Sequence, residues 1–259
     1  MYKTNKLFCL ILLFGTILIT SCRTSHDAVY FSDLDSTRYR ELTSSKFVEP
    51  LIQTDDILNI TVQTIDPMAS AAINQTPASV SQGSGQGQGA ISGFLVDKNG
   101  NVEIPMLGIV KLSGLTTTAA KEIIRGKAIQ FYKDPTVQVR FANYKITVLG
   151  EVLRPASYTV PNERVTVLDA ISLAGDLTIY GKRKNIMLIR DLGVKKEVVR
   201  LDLTSSSLMN SPYFYLKQND VLYVEPIETK IASANAPRTQ LITIGISVVT
   251  LLVTILTRF

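Results

Sequence analysis

Residues 239–257 read TQLITIGISVVTLLVTILT, and the fate of this stretch decides how the rest of the chain is deployed. A helix rising ~1.5 Å per residue over this length covers roughly the hydrocarbon thickness of a bilayer. The sequence therefore predicts a C-terminal membrane-spanning helix over 238–258. Its polar members are Thr239, Gln240, Thr243, Ser247, Thr250, Thr254 and Thr257. At about 100° per residue the hydroxyls share one arc of roughly 80°. The remaining arc is Leu, Ile and Val, broken only by Gly245. Such a stripe has two readings. The hydroxyls can bond back to the helix's own carbonyls or across to one neighbouring helix, in a tail anchor that is simply Thr-rich. Alternatively, several copies stand in a ring, hydroxyls lining a wet lumen and the aliphatic arc meeting lipid.

The opposite end carries an export address. Lys3 and Lys6 precede an apolar run over 7–19, which ends in Thr20-Ser21-Cys22. A basic start, a short apolar core and small residues before a cut describe a secretory signal over 1–21 rather than a spanning helix. A cysteine at the cut resembles a bacterial lipoprotein signal. That resemblance implies a diacylglycerol on the Cys22 thiol, cleavage after Ser21 and N-acylation of the new amine, with no other cofactor. Multiple acyl chains anchor stably, at ~0.8 kcal/mol per buried CH₂. Residues 23–238 would then lie outside the cytoplasm. The hydroxyls and Gln240 lower the terminal helix's apparent hydrophobicity, which would let it pass the inner membrane and reach the outer one.

Between these ends, 259 residues with 46% hydrophobic content suffice for two or three small domains. The formal charge of +5 includes Lys3 and Lys6 of the removed segment, and so small a surplus makes no case for nucleic acid. Cys9 lies in the same segment, which leaves Cys22 without an internal disulfide partner.

The body begins after a polar leader over 22–46, expected to order on contact. The first strong strand is 57–63, where Leu58, Ile60 and Val62 alternate with polar residues. It has a copy. The run IQTDDILNI over 52–60 aligns with LKQNDVLYV over 216–224, each an apolar residue, a polar turn, Asp and a strand. Asp closes such turns through its own backbone, and we read two related β units. Residues 69–93 are rich in Gly, Gln and Ser and predict a mobile loop. Asn99-Gly100 predicts a hairpin between strands over 94–98 and 101–105. A helix capped at Thr116 or Thr117 runs to about Phe131, burying Ala119, Ala120, Ile123, Ile124 and Ala128, and Asp134-Pro135 stops it before a strand over 137–141. The second unit reads as strands over 145–149 and 157–160, a helix over 167–174 capped by Thr166, then strands over 186–190, 197–203 and 221–225. The fold class is α+β: two small mixed domains, 47–142 and 143–230, plus the terminal helix.

These pieces together resemble the polysaccharide export outer-membrane lipoproteins of the Wza-like family. The resemblance rests on Asp56-Ile57-Leu58-Asn59-Ile60, Ile104-Pro105-Met106-Leu107-Gly108, Gly114-Leu115-Thr116 and Tyr132-Lys133-Asp134-Pro135 in the first unit. In the second unit Val148-Leu149-Gly150-Glu151-Val152, Thr166-Val167-Leu168-Asp169-Ala170-Ile171 and Ala174-Gly175 are similar to that family's SLBB β-grasp module. Ala156 stands where Pro-Gly is usual, and Asp176 where a second Gly is common. The resemblance implies an export domain followed by one β-grasp domain. It further implies a homo-oligomeric ring, an octamer in the family, whose terminal helices form an outer-membrane pore for capsular or exopolysaccharide. An inner-membrane co-polymerase or tyrosine kinase would be the partner, with the body in the periplasm and the C-terminus at the cell surface. The alternative is a non-conducting, doubly anchored lipoprotein that binds a glycan or a partner protein.

No enzyme is read here. His26 is the single histidine and cannot make a metal site or triad alone. The adjacent acids Asp55 and Asp56 are expected to be solvated in a strand-entry turn rather than to act on a glycoside. Lys182, Arg183 and Lys184 with Lys195 and Lys196 form a basic cluster that suits either a solvated hairpin face or contact with an acidic polymer or partner.

Overall fold

The computed structural model describes residues 29–35, 39, 41–74, 92–228, 230 and 236–258; in the last segment it describes the side chains of 241, 243–248, 250–252, 254 and 255. Strand β1 (Ile57–Gln63) alternates as expected, and Leu58, Ile60 and Val62 are buried. Asp66 then caps helix α1 (Pro67–Ile73), its carboxylate accepting from Met68 N at 2.9 Å. This corrects the expected start of the mobile loop. Residues 69–73 are helical because Asp66-Pro67 supplies a cap and a preset first φ to a run of small helix formers; Ile73 is buried, and the Asn74 amide pairs with both backbone groups of Val62. Residues 75–91 of the predicted loop lie outside the described residues.

The Asn99-Gly100 turn forms, with Gly100 at φ +81°, yet it does not join a hairpin. Strand β2 (Phe94–Leu95) pairs with β1, whereas β3 (Asn101–Ile104) pairs with β4 (Gly108–Lys111). Two left-handed residues, Met106 and Gly108, turn the chain after β3, so its neighbour is the following strand rather than the preceding one. Helix α2 (Thr117–Ala128) has the predicted cap, Thr116 Oγ1 accepting from Ala119 N at 3.2 Å. It packs on β5 (Thr136–Phe141) through Thr117, Ala120, Ile124 and Ala128, while Ile123, expected inside, is 41% exposed. Strand β5 closes the sheet β2-β1-β5, antiparallel throughout.

The second unit is a five-stranded sheet in the order β10-β9-β12-β6-β7. Its members are β6 (Lys145–Gly150), β7 (Ala156–Thr159), β9 (Gly181–Asp191), β10 (Lys196–Leu201) and β12 (Val221–Pro226). Only β12 and β6 run parallel. Gly150 sits at φ +89°, where a Cβ would stand 2.1 Å from Val224 O, so no other residue fits at this crossing. Helix α3 (Val167–Leu173) follows β8 (Val165–Thr166) with a complete capping box from Thr166 and Asp169. β8 pairs with β11 (Tyr215–Leu216). The chain ends in helix α4 (Ala236–Arg258).

The repeated turns are one structure built twice. Asp56 accepts from Gln53 N at 2.7 Å and Asp220 from Lys217 N at 2.7 Å, with the preceding residues, Asp55 and Asn219, both left-handed. Ile52 and Leu216 are buried at equivalent places. Asp56 itself is 5% exposed, which corrects the expectation of a solvated acid pair: only Asp55 faces solvent. What covers Asp56 comes from the other unit, since Gln218 Nε2 donates to Asp56 Oδ1 at 2.7 Å across 162 residues. In the second copy Arg190 closes a bidentate pair on Asp220, Nε to Oδ1 3.0 Å and Nη2 to Oδ2 2.7 Å, with both side chains almost fully buried.

Replacing Arg190 by Ala strands a buried carboxylate and should cost about 3–5 kcal/mol; the double change Arg190→Ala with Asp220→Asn should recover part of it, both read from chemical denaturation of the detergent-solubilised chain. Asp56 gives a pH prediction. Burial is the first cause of its raised pKa, outweighing the bonds from Gln53 and Gln218. A raised folded pKa means that protonation favours the fold, so the wild type loses stability as pH climbs above the ordinary value of 3.8. The destabilisation caused by Asp56→Asn should accordingly be largest below that value and shrink toward neutrality, measured as the difference between the two proteins' unfolding curves.

Candidate functional site

Helix α4 carries the expected stripe. The exposed side chains of Ser247, Thr250 and Thr254 each donate to the carbonyl four residues back, at 2.8, 2.8 and 2.7 Å. Each hydroxyl hydrogen is thereby used within the helix, and the oxygen's lone pairs point outward. Thr243 lies on the same face and supplies the carbonyl that Ser247 uses. The side chains of Thr239 and Thr257 lie outside those described. Leu241, Ile244, Ile246, Val248, Leu251, Leu252 and Ile255 are all roughly half exposed or more. Among the described residues, no helix is long and apolar enough to cross a membrane. The expected span is therefore not supported: polar residues at every third or fourth position, with Gly245 between them, dilute the apolar run.

At the other end, Cys22 and His26 lie outside the described residues. The described residues of the leader pack on the second domain. Phe31 N donates to Leu203 O at 3.1 Å, Ser32 Oγ to Thr204 O at 3.3 Å, and Ser45 N to Met209 O at 2.8 Å. Asp33 accepts from Ser206 N at 2.9 Å and Ser206 Oγ at 2.7 Å, which hold its carboxyl below the usual range. Tyr30 donates its hydroxyl to Asp176 while the Arg183 guanidinium lies 5.5 Å from its ring centre. Burial, then this bond to Asp176, pushes the Tyr30 phenol up. Further along, the Phe47 ring packs edge-on to Tyr215 at 5.4 Å, with Arg164 beside both rings.

Asp176 occupies a left-handed position, φ +76°, which explains why glycine would be at home there. The aspartate supplies what glycine lacks, an acceptor for Tyr30. Neither residue was singled out as functional from sequence; two adjacent aromatics, Tyr30 and Phe31, in a mostly polar leader were the available signal.

The basic cluster is not one cluster. Lys182, Arg183 and Lys184 lie at the start of β9, and Lys195 and Lys196 follow its far end. Seven strand residues at ~3.3 Å each put roughly 23 Å between Lys184 and Asp191. Arg183 is turned onto Tyr30, so it belongs to the leader contact rather than to an open polymer-binding face. Among the described residues no group of three or more His, Cys, Asp and Glu could hold a metal ion.

Comparison with known proteins converges on one group. The polysaccharide biosynthesis/export protein profile matches residues 47–142, and the SLBB domain profile matches 144–224. The chain is 28% identical over 185 residues to the EPS I polysaccharide export outer membrane protein EpsA of Ralstonia nicotianae, covering 68% of this chain and 47% of that protein. It is 30% identical over 148 residues to the capsule polysaccharide export outer membrane protein CtrA of Neisseria meningitidis serogroup A, covering 55% of this chain and 36% of that one. The chain thus spans less than half the length of these relatives. With the two domains in tandem, on two sheets joined through their repeated Asp turns, the chain belongs to the polysaccharide biosynthesis/export family.

Proposed function

We propose that this protein is a protomer of an outer-membrane export channel for capsular or extracellular polysaccharide, its α4 helices assembled in a ring. The observation that carries the reading is α4 itself: hydroxyls on one face, seven exposed aliphatic side chains elsewhere, on a chain with the family's two domains. The dilution of apolarity that disfavours a lone spanning helix is the property a ring requires. In a closed ring the stripe faces water and only the aliphatic arc meets lipid, so the polar residues are never placed in hydrocarbon. The names of the relatives EpsA and CtrA support the outer membrane and a polysaccharide cargo.

Cys22, acylated after signal removal, ties the N-terminus to the same membrane, and the two domains stand in the periplasm to receive polymer from an inner-membrane co-polymerase. Transport is passive. Because Ser247, Thr250 and Thr254 spend their hydrogens on backbone carbonyls, the stripe offers acceptor oxygens to the hydroxyl donors of sugars. These bonds are neutral and exchange with water, so polymer slides without being held.

Replacing Ser247 or Thr250 by Leu dries the stripe and should cut exported polysaccharide by ~tenfold or more at unchanged protein level, measured as surface polymer against an immunoblot. Normal export in both variants would assign the stripe to packing. Imaging of detergent-extracted protein should show closed rings, and a monodisperse single copy would remove the channel. A tag appended after Phe259 should be labelled on intact cells.

A further inference from the structure

Both tethers leave the body at one place. The leader docks through Tyr30 on Asp176, and eight residues at no more than ~3.5 Å each keep Cys22 within roughly 28 Å of that contact. On the C-terminal side, β12 ends at Pro226 opposite Gly181, and Ile227 N donates to Tyr180 O at 2.8 Å. Lys230 then pairs with Glu151 and lies 5.6 Å from the Tyr180 ring centre, six residues before α4 begins at Ala236. The segment 176–181 is thus held at its first residue by the leader and at its last residues by the chain running to α4.

That segment has the composition of a membrane-surface contact. Ile179 is 80% exposed and Tyr180 42%. Leu153, 68% exposed, is fixed beside them, its N–H donating to Asp176 O at 3.0 Å and its neighbour Val152 bridging to Leu177. Lys182 and Lys184 follow on the first residues of β9. Aliphatics at a loop apex, an aromatic with a polar tip and flanking lysines are what an anionic lipid surface accepts. The other end of β9 is different in position, if not in polarity: the turn to β10 carries Val194, 99% exposed, beyond the end of the strand remote from Gly181.

We propose that the loop 176–181, together with Leu153, Lys182 and Lys184, rests on an anionic phospholipid leaflet: Ile179 and Leu153 enter the interface, Tyr180 sits among headgroups, and the lysines face phosphates. The inference rests on the reading of Cys22 and α4 as membrane tethers. It adds that the second domain is seated on the bilayer by its own surface, which fixes the tilt of each protomer and would keep neighbouring α4 helices parallel.

The test uses the full chain reconstituted in phosphatidylethanolamine/phosphatidylglycerol vesicles. Ile179→Cys and Val194→Cys each carry a polarity-sensitive fluorophore, with the unsubstituted protein as the control for labelling at Cys22. Brominated lipid should quench the label at 179 at least about twofold more than the label at 194, and Lys182→Glu with Lys184→Glu should reduce that quenching. Equal quenching at both positions, or none at 179 in protein that floats with the vesicles, overturns the inference while leaving a ring channel intact. A blue shift at 179 without lipid quenching also overturns it, by assigning the loop to a protein neighbour. Protein that does not float at all removes this inference and the tethers together.

Discussion

A turn that reverses the chain in front of a buried strand leaves a backbone N–H facing inward, and this fold answers the problem twice with a carboxylate. Asp56 and Asp220 each take the N–H three residues back and each enter the core to do so. A carboxylate can go there only if its remaining lone pairs are filled. Asp220 is filled by Arg190, and Asp56 by the side-chain amide of Gln218, itself a member of the other turn. The local solution to one turn thereby becomes the link between two domains. Tyr144 reinforces it at the junction, buried to 1% exposure and donating to Leu216 O at 3.1 Å.

The difference between the copies is itself informative. An ion pair fixes Asp220 rigidly, whereas Asp56 has only neutral donors and a raised pKa, with burial as the leading cause. The second turn therefore forms within one domain, since Arg190 comes from β9 of the same sheet. The first turn is completed by a residue of the second, Gln218. The second domain thus serves as the platform on which the first turn is closed, and the leader's contacts, from Phe31 to Ser45, fall on the second domain as well.

Elements whose burial is set by near neighbours were legible in the sequence. β1, β5, β6, α2 and α3 follow from alternation or from a threonine cap, because those signals are local. What escaped was decided at long range. Asp56 reads as solvated until a residue 162 positions away covers it. The two-residue strands β8 and β11 exist only because they find each other. The basic residues at the two ends of β9 read as one cluster because the expected strand covered only 186–190, whereas 181–185 are strand as well and hold Lys182, Arg183 and Lys184 at the end remote from Lys195 and Lys196. Ile123 was placed inside because its helix was read as a broad apolar face, while the space beside β5 takes only the narrower row Thr117, Ala120, Ile124 and Ala128.

The terminal helix shows why composition alone does not decide whether a helix enters a bilayer. Ser247, Thr250 and Thr254 satisfy their hydrogens internally, so what remains polar on that face is a row of acceptor oxygens. Lipid offers such acceptors no donor. Water or a sugar offers donors. The same row would thus be a small burden in hydrocarbon and a wetted surface in the lumen of the proposed ring, its sign set by what a neighbouring protomer presented. In the proposed ring, stability of an inserted state would belong to the assembly rather than to the single chain. In the proposed ring the leader and the 176–181 loop would gain their meaning from that dependence, because protomers held at one height and one tilt by the body would bring their stripes to a common axis before any helix had to bear the cost of crossing alone.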